Sequence, residues 1–540
     1  MIGPRSAALT LFVASATWWV ACDKTPEAAP DVQPPPATPE ASAEDATLDA
    51  GVTDARADAI AAARAALEAG TFEGPYGRTT TIQTSVMSAP AWSEGDAGAS
   101  VKLGYLRTNA AVPAIAGTVA GEGCGEGWVE LVEGGFVCSK HFTLDADDPK
   151  LKWGPSPADV KSALPYKYGV VMFDGTPMYK RALPWDKRRK YEPWLPSKSP
   201  SAGGADNPYA DDDDDDKPKS YKLRGKDGGK PTLDELHGKG AMLRRMMRGF
   251  LLSGDHEVEL QGAKWWRTAQ GNLVPFDRVG PYQPVATPHG AWVGANATAP
   301  VDGGAPTDAS AEPLEPTGAG VMKLDAGAKY SADAGNIGGT GALLGKGAAV
   351  ALVGAPVPFY GVPYQQTTQG FWVRLSDLAV ATPQTPEDLA PNEKWIDVDL
   401  DKQLLVAFEG KRAVFAARIS SGRRNPYDAQ HDYPTPTGTY RIREKHVTTT
   451  MDGDLAADGP YSIEDVPWVM YFKGSYALHG AFWHDSFGVP RSHGCINMAP
   501  ADARALFFWV EPRMPTGWHG AFAAGEARGT RVVIHEAAKK

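Results

Sequence analysis

Between residues 72 and 390 the chain has few helix signals and many short β-type runs separated by Gly and Pro. Three places share a polar turn, a tryptophan, alternating apolar residues and a short strand; the tryptophans are Trp128, Trp265 and Trp372. Such alternation before a Gly-bearing turn is typical of small antiparallel sheets and barrels. The pattern therefore predicts a mainly β protein in which these tryptophans fill cores or rims.

At 540 residues the chain is too long for one hydrophobic core. The β-rich pieces, most clearly the first and last, resemble bacterial SH3-like modules. Segment 230–250, with acids early and Arg late, is predicted to be a structural helix. The predicted organisation is a signal peptide at 1–22, a Pro/Ala-rich tether at 23–54, an SH3-like module at 72–150, a second β-rich region at 151–295 with an acidic linker at 201–220, a linker at 296–320, an SH3-like module at 321–390 and a C-terminal domain at 393–540.

The first 22 residues have the features of an export signal. One Arg precedes an apolar stretch of about a dozen residues, too short to span a bilayer. The small residues before Cys22 resemble a lipoprotein signal, although Trp19 stands where an aliphatic residue is usual. The resemblance implies a lipid on Cys22 that anchors an exported, periplasmic protein to a membrane; ordinary export with cleavage elsewhere is the alternative.

Cysteine usage and charge fit an exported protein that does not bind nucleic acid. Cys124 and Cys138 lie in one compact segment, where they either pair in an oxidising compartment or remain buried thiols. The net charge of −11 argues against a nucleic-acid partner.

The composition changes at residues 392–422, where apolar and acidic residues alternate and turns separate three runs. This pattern predicts a β-meander with one face in water. A further strand is predicted at 434–447, a helix at 499–512 and a closing strand at 530–535.

Residues 479–498 hold three histidines and one cysteine among glycines. Four zinc ligands, a redox thiol, an inert structural loop and a nucleophile with its base are the alternatives. No CxxC pair or HExxH helix accompanies the cluster, and a glycine-rich loop does not pre-form a metal cage, so no metal site is predicted.

A cysteine nucleophile explains more of the pattern. A thiol of ordinary pKa is mostly protonated at neutral pH, so catalysis needs a neighbouring base. A folded-back loop could place His479 beside Cys495, and a backbone carbonyl can fix the tautomer of the imidazole. Gly494 leaves room for an acyl group, and backbone N–H groups near Cys495 could face an oxyanion.

The motif "SHGCIN" at 492–497, "HG" at 479–480 and "TPTGTYRI" at 435–442 closely resemble the catalytic domain of L,D-transpeptidases of the YkuD type. The resemblance covers about 393–537. It implies a β-sandwich or barrel with a short helix after the catalytic cysteine.

By this resemblance Cys495 is the nucleophile and His479 the general base, with the carbonyl of Gly480 orienting the imidazole and His493 lining the site. Arg491 is a candidate for binding substrate carboxylates, and His484 either contacts substrate or serves as an alternative base. The residues implied to shape the site or contact substrate are Ser492, Gly494, Arg491, Asn497 and His484.

The implied reaction is acyl transfer on peptidoglycan stem peptides, with no metal or organic cofactor. The thiolate attacks the carbonyl of the third residue of a tetrapeptide stem and releases D-Ala. A second stem would give a 3–3 cross-link, water would make the enzyme a carboxypeptidase, and a lipoprotein lysine would make it an anchoring enzyme. A non-catalytic peptidoglycan-binding lipoprotein is the alternative from another class.

Overall fold

The computed structural model describes residues 50–92, 100–196, 223–293, 318–324, 326–333, 335–455, 459–524 and 528–536. The predicted signal peptide with Cys22, most of the tether, the acidic linker and most of the linker at 296–320 lie outside the described residues. None of the described helices is long and apolar enough to cross a membrane.

The chain before the C-terminal domain is described here as three regions, each made mainly of strands. The first region (50–150) has α1 (Ala50–Glu68), β1 (Tyr76–Thr79), β2 (Gln83–Met87), β3 (Lys102–Arg107), β4 (Val112–Pro113), β5 (Trp128–Glu130), β6 (Phe136–Cys138) and β7 (Phe142–Thr143). The second region (151–293) has β8 (Lys167–Val171), β9 (Thr176–Tyr179), α2 (Trp185–Arg188), α3 (Leu233–Leu236), β10 (Met242–Met246), β11 (Leu251–Gly254), β12 (Glu257–Leu260), β13 (Ala263–Arg267), β14 (Leu273–Pro275), β15 (Val279–Pro281) and β16 (Gly290–Trp292). The third region (318–381) has β17 (Gly318–Met322), β18 (Ala326–Asp333), β19 (Asn336–Gly345), β20 (Ala349–Phe359), β21 (Val362–Thr367), β22 (Trp372–Arg374) and β23 (Leu378–Val380).

The C-terminal domain (393–536) is also mainly strand. Its elements are β24 (Lys394–Asp399), β25 (Leu404–Glu409), β26 (Arg412–Arg418), β27 (Gly438–Arg441), β28 (Glu444–Leu455), β29 (Gly459–Lys473), β30 (Tyr476–Gly480), β31 (Ile496–Met498), α4 (Pro500–Trp509), β32 (Gly520–Phe522) and β33 (Arg531–His535). The three strands of the predicted meander (β24–β26), the helix after Cys495 (α4) and the closing strand (β33) are confirmed. The expected water-exposed face of the meander is wrong: both faces of β24–β26 are buried, because one packs in the core with α4 and the other packs against β17 of the third region. The long hairpin β28–β29 continues into β30, which carries the "HG" motif.

The core of the C-terminal domain lies between two sheets and α4. One sheet has the order β16-β26-β25-β24-β33-β27. The other contains β28 and β29, where β30 pairs with β29 and β31 pairs with β30. The fully buried side chains of Ile396, Phe415 and Met498 belong to this core. Helix α4 packs on β29 and β30, and the buried Lys445 donates hydrogen bonds to the carbonyls of Phe507 and Val510 at the C-terminal end of α4.

Strands from the first and second regions extend the two sheets of the C-terminal domain. Strand β16 pairs antiparallel with β26, β11 lies parallel to β29 through Leu251 and Ile463, and β3 pairs antiparallel with β32. The site is therefore built on sheets whose strands come from three parts of the chain.

The predicted helix at 230–250 is wrong beyond its first turn. Thr232 and Glu235 form a capping box for α3, but the helix ends after Leu236. The next residue, His237, has an extended backbone (φ −59°, ψ 135°), and Gly238 and Gly240 follow. The chain then enters β10, which pairs with β9. Strand pairing with the sheet outweighs the local helix preference.

The three tryptophans, the cysteine pair and the linker before β17 were also predicted from the sequence. Trp128 and Trp265 are fully buried, as expected, and Trp372 is half-buried with its ring edge-on to Phe359. Cys124 and Cys138 form a disulfide with a Cα–Cα distance of 5.7 Å. Strand β17 begins at residue 318, inside the predicted linker 296–320, because its backbone pairs with β20 and β23.

Candidate active site

Two short parallel strands place the motif residues on one surface. Leu478 pairs with Ile496, and His479 pairs with Asn497 across β30 and β31. Paired residues of adjacent strands project from the same face, and alternate residues of one strand share a face. Cys495 precedes β31 by one residue and belongs to the same buried cluster as Ala477, which shares a face of β30 with His479.

A neighbouring segment holds the cysteine motif in place. The backbone of Ser420 exchanges two hydrogen bonds of 2.9 Å with Asn497. The carbonyl of Ser421 accepts from the N–H groups of Arg491 and Ser492 at 2.9 and 3.0 Å. These bonds hold the end of the loop between β30 and β31 against the Ser420–Ser421 segment. They therefore fix the position of the backbone at Cys495, just before β31.

The approach to Cys495 is a tight turn that requires glycine. Gly494 has a φ of +119°, and a Cβ there would lie 2.4 Å from the Tyr476 ring. The hydroxyl of Ser492 accepts from the N–H of Gly494 at 3.1 Å and donates to the carbonyl of Cys495. Thr435 donates to the carbonyl of Gly494 at 2.9 Å. The peptide groups before and after Cys495 are thus both held by side-chain hydrogen bonds, from Thr435 and from Ser492.

His479 is completely buried and oriented by a backbone carbonyl. Its Nδ1 lies 3.4 Å from the carbonyl oxygen of Gly480. Burial lowers the pKa of His479 to about 4, against the opposing effect of that carbonyl, so the ring is neutral at physiological pH. A proton on Nδ1 leaves Nε2 as an acceptor, and Nε2 has no hydrogen-bond partner among the described residues. The arrangement suits a base that receives a proton at Nε2.

Both ring nitrogens of His484 already have neighbours. Asn497 Nδ2 lies 3.0 Å from His484 Nε2, and the N–H of Ser486 donates to Nδ1 at 3.3 Å. Burial first, and then the charge of Arg491, lower the pKa of His484 to about 3. The structure thus gives His484 a bonded position beside Asn497, in contrast to His479.

The C-terminal sequence is similar to known proteins. Residues 393–534 match the family model YkuD, described as the L,D-transpeptidase catalytic domain. These residues are a YkuD-type L,D-transpeptidase domain. The protein named "Putative L,D-transpeptidase YciB" of Bacillus subtilis is 26% identical over 144 residues, which are 24% of this chain and 64% of that protein. The chain thus spans somewhat less than two thirds of this relative.

Two solved structures are also similar to the YkuD domain. The L,D-transpeptidase of Xylanimonas cellulosilytica is 27% identical, with 28% of this chain and 64% of that chain covered and a TM-score of 0.20. The catalytic domain of the Enterococcus faecium L,D-transpeptidase is 25% identical, with 27% and 98% covered and a TM-score of 0.21.

His493, Arg491 and Cys495 complete the surroundings of the YkuD site. His493 is buried, with its ring centroid 4.2 Å from that of Tyr433. Arg491 is half-buried, close enough to lower the pKa of His484 by its charge. Cys495 is 1% exposed, and its Sγ lies 3.7 Å from the carbonyl oxygen of Ser475. Within the described ranges, no three His, Cys, Asp or Glu side chains are arranged to hold a metal ion.

Sequence reasoning missed several residues that contact the motif. Thr435 bridges the Gly494 carbonyl and the N–H of Gly422, which donates to its hydroxyl at 2.8 Å. Thr435 is the first residue of the motif "TPTGTYRI", and this position could have indicated a role near the site. Tyr433 and Trp483, whose rings pack on His493 and His479, gave no signal, since aromatic residues in a loop are common.

Proposed function

We propose that the YkuD domain catalyses L,D-transpeptidation on peptidoglycan stem peptides through a Cys495 acyl-enzyme. His479 Nε2 takes the thiol proton, and the thiolate attacks the carbonyl carbon of the third stem residue. Backbone N–H groups at Cys495 and its neighbours face the oxyanion. When the intermediate collapses, the C–N bond to the terminal D-Ala breaks, the imidazolium protonates the leaving amine, and a thioester remains.

In the second half-reaction an amine replaces D-Ala. The amine of a second stem attacks the thioester, its proton passes to His479, and the Cys495 thiolate leaves and regains a proton. The product is a 3–3 cross-link. Water as acceptor would give a tripeptide, and a protein lysine would give an anchored protein.

The observation that carries the proposal is the state of His479. Its ring is buried, held at Nδ1 by the Gly480 carbonyl and unpartnered at Nε2 within the described residues, on the face of β30 whose Ala477 clusters with Cys495. A buried polar atom without a partner costs about 1–3 kcal/mol. Such a cost is expected at a site where a reacting group supplies the partner.

The deciding experiment is incubation of the pure protein with disaccharide-tetrapeptide, followed by mass spectrometry of the products. A dimer that has lost one D-Ala supports transpeptidation, and tripeptide alone supports a carboxypeptidase. Unchanged substrate, together with binding to peptidoglycan, would instead support the non-catalytic alternative.

The family acts in the cell wall, so we propose an exported protein held at a membrane by a lipid on Cys22. Cys22 lies outside the described residues, and the proposal rests on the small residues that precede it. The mass of the mature chain, with and without Cys22→Ala, tests it: a lipid-sized mass that persists in the variant would contradict the anchor.

We expect His479→Gln to reduce D-Ala release by about 10²–10⁴-fold, since it removes the base. His484→Gln is the matched comparison, because its ring is buried nearby but already bonded to Asn497 and Ser486. It should lower the rate by less than about tenfold. Initial rates measured by D-Ala release test both variants. A larger loss for His484→Gln would assign the base to His484.

The rate should stay constant from about pH 7 down to about pH 5 and then fall through about pH 4. Burial lowers the pKa of His479 to about 4, so its base form persists well below the ordinary histidine value of about 6.5. The pH dependence of D-Ala release per molecule measures this, with circular dichroism recorded at each pH as the control for folding. A fall centred near pH 6.5 would contradict it.

A further inference from the structure

A cavity lies where the second region meets the long hairpin of the YkuD domain. Its enclosed volume is about 50 Å³. We call it the Tyr282 cavity; the lining residues that matter here are Arg248, Phe250 and Tyr282 from the second region, and Tyr461, Ile463 and Trp483 from the YkuD domain. A space of this size admits one end of a peptide, such as a carboxylate with the groups next to it.

The Tyr282 cavity is fixed by sheet pairing and borders the histidines of the site. Strand β11 follows Phe250 directly and lies parallel to β29, so its wall is part of a continuous sheet. On the other wall, the Trp483 ring centroid is 5.7 Å from that of His479. The Tyr461 ring is nearly parallel to that of His493, with 6.5 Å between centroids. A ligand in the cavity would therefore contact Trp483, whose ring packs on that of the proposed base.

Two hydrogen-bond donors give the cavity a preference for an anionic acceptor group. Trp483 is 7% exposed, and its indole N–H is buried without an acceptor among the described residues. Arg248 is exposed, and its side chain forms no salt bridge within the part of the chain that the structure describes. Asp174 is close by, where it accepts from the backbone N–H of Arg248. The other walls named are apolar or aromatic.

We propose that the Tyr282 cavity binds the acceptor stem, as a peptide whose carboxylate meets Arg248 and the Trp483 N–H while its apolar part contacts Phe250 and Ile463. The assignment rests on the proposed function, because the acceptor amine must deliver its proton to His479 and so must approach from the side of that ring. It also gives the second region a role, since half of the cavity wall comes from it.

The test uses a stem tripeptide that lacks the terminal D-Ala and so can serve only as an acceptor. Calorimetric titration is done on the full chain carrying Cys495→Ala, with and without Arg248→Gln. We expect Arg248→Gln to raise the dissociation constant about tenfold or more, as for loss of a charge-assisted hydrogen bond. Arg181→Gln, at another exposed arginine of the second region, is the matched control and should change it less than twofold.

Amidation of the C-terminal carboxylate of the tripeptide removes the group proposed to contact Arg248. Combined with Arg248→Gln, it completes a double-mutant cycle. The amidated peptide should bind more weakly, and Arg248→Gln should then have less than a twofold effect. Trp483→Phe, which removes the N–H but keeps an aromatic ring, should weaken the acid form as well. Equal affinity for the Arg248→Gln and Arg181→Gln proteins, or equal losses for acid and amide, would overturn the inference. Because these titrations need no turnover, a failure of the cavity is distinguishable from a failure of the proposed chemistry, which would appear as absent D-Ala release by the wild-type chain.

Discussion

Replacing Cys495 with alanine is expected to reduce D-Ala release by about 10⁴–10⁶-fold, the loss seen when a covalent nucleophile is removed from an acyl-transfer enzyme. In the proposed mechanism the Sγ atom forms the thioester, and no other described side chain takes its place. The measurement is D-Ala release from disaccharide-tetrapeptide, with product masses recorded for both proteins.

The fold should survive this substitution. Cys495 is 1% exposed next to small neighbours such as Ala477 and Ala481, and its backbone is fixed by Ser492 and by the start of β31. The circular dichroism spectrum should therefore match the wild type. Intact mass after treatment with a carbapenem provides the second readout, with an adduct on the wild type and none on Cys495→Ala. Release of D-Ala at the wild-type rate by the alanine variant would remove the cysteine from the mechanism.

Replacing Asp465 with alanine is expected to lower the free energy of unfolding by about 3–5 kcal/mol, the usual cost of breaking a buried ion pair on one side. Asp465 is fully buried in β29. Its carboxylate accepts from Arg107 at 2.6 Å, Ser253 at 2.6 Å and Thr448 at 2.7 Å. These donors belong to the first region, the second region and the YkuD domain, so one carboxylate joins three parts of the chain.

Chemical denaturation followed by tryptophan fluorescence measures the loss. Asp465→Asn keeps the shape but not the charge and should lie between wild type and alanine. Asp147→Ala, at an exposed aspartate, should stay within about 0.5 kcal/mol of the wild type. A loss below about 1 kcal/mol for Asp465→Ala would show that the contact contributes little.

The same carboxylate predicts the direction of acid sensitivity. Burial alone would raise the pKa of Asp465, but Arg107 with its partners holds that pKa below the ordinary value. A lowered folded-state pKa means that the unfolded chain binds the proton first as pH falls. The stabilisation is therefore complete above the unfolded-state pKa of about 3.9 and is lost as pH falls through the lower folded-state value.

The local sequence predicted those parts of the YkuD domain whose residue patterns repeat over a few positions. Alternation identified β24–β26 as strands but predicted one face in water, whereas packing against the third region buries that face as well. Pro500 and the apolar spacing that follows it identified α4. The motifs at 479–480 and 492–497 pointed to His479 and Cys495, because the residue types and their spacing are both explicit in the sequence.

Long-range pairing explains where sequence reasoning failed. The segment after α3 has helix-forming residues, yet β10 pairs with β9, and no local pattern reports a partner more than sixty residues away. Thr435 reaches the carbonyl of Gly494 from 59 residues upstream for the same reason.

The sequence by itself determined the mainly β character of the chain and the cysteine, histidine and glycine residues of the motif, because strand alternation and short-range chemistry are written in neighbouring positions. Only the tertiary structure decided that His484 is bonded to Asn497 while His479 Nε2 has no partner within the described residues, and that Arg107 and Ser253 meet on Asp465. These contacts depend on burial and on strands from distant segments lying side by side, and burial is a property of the folded chain.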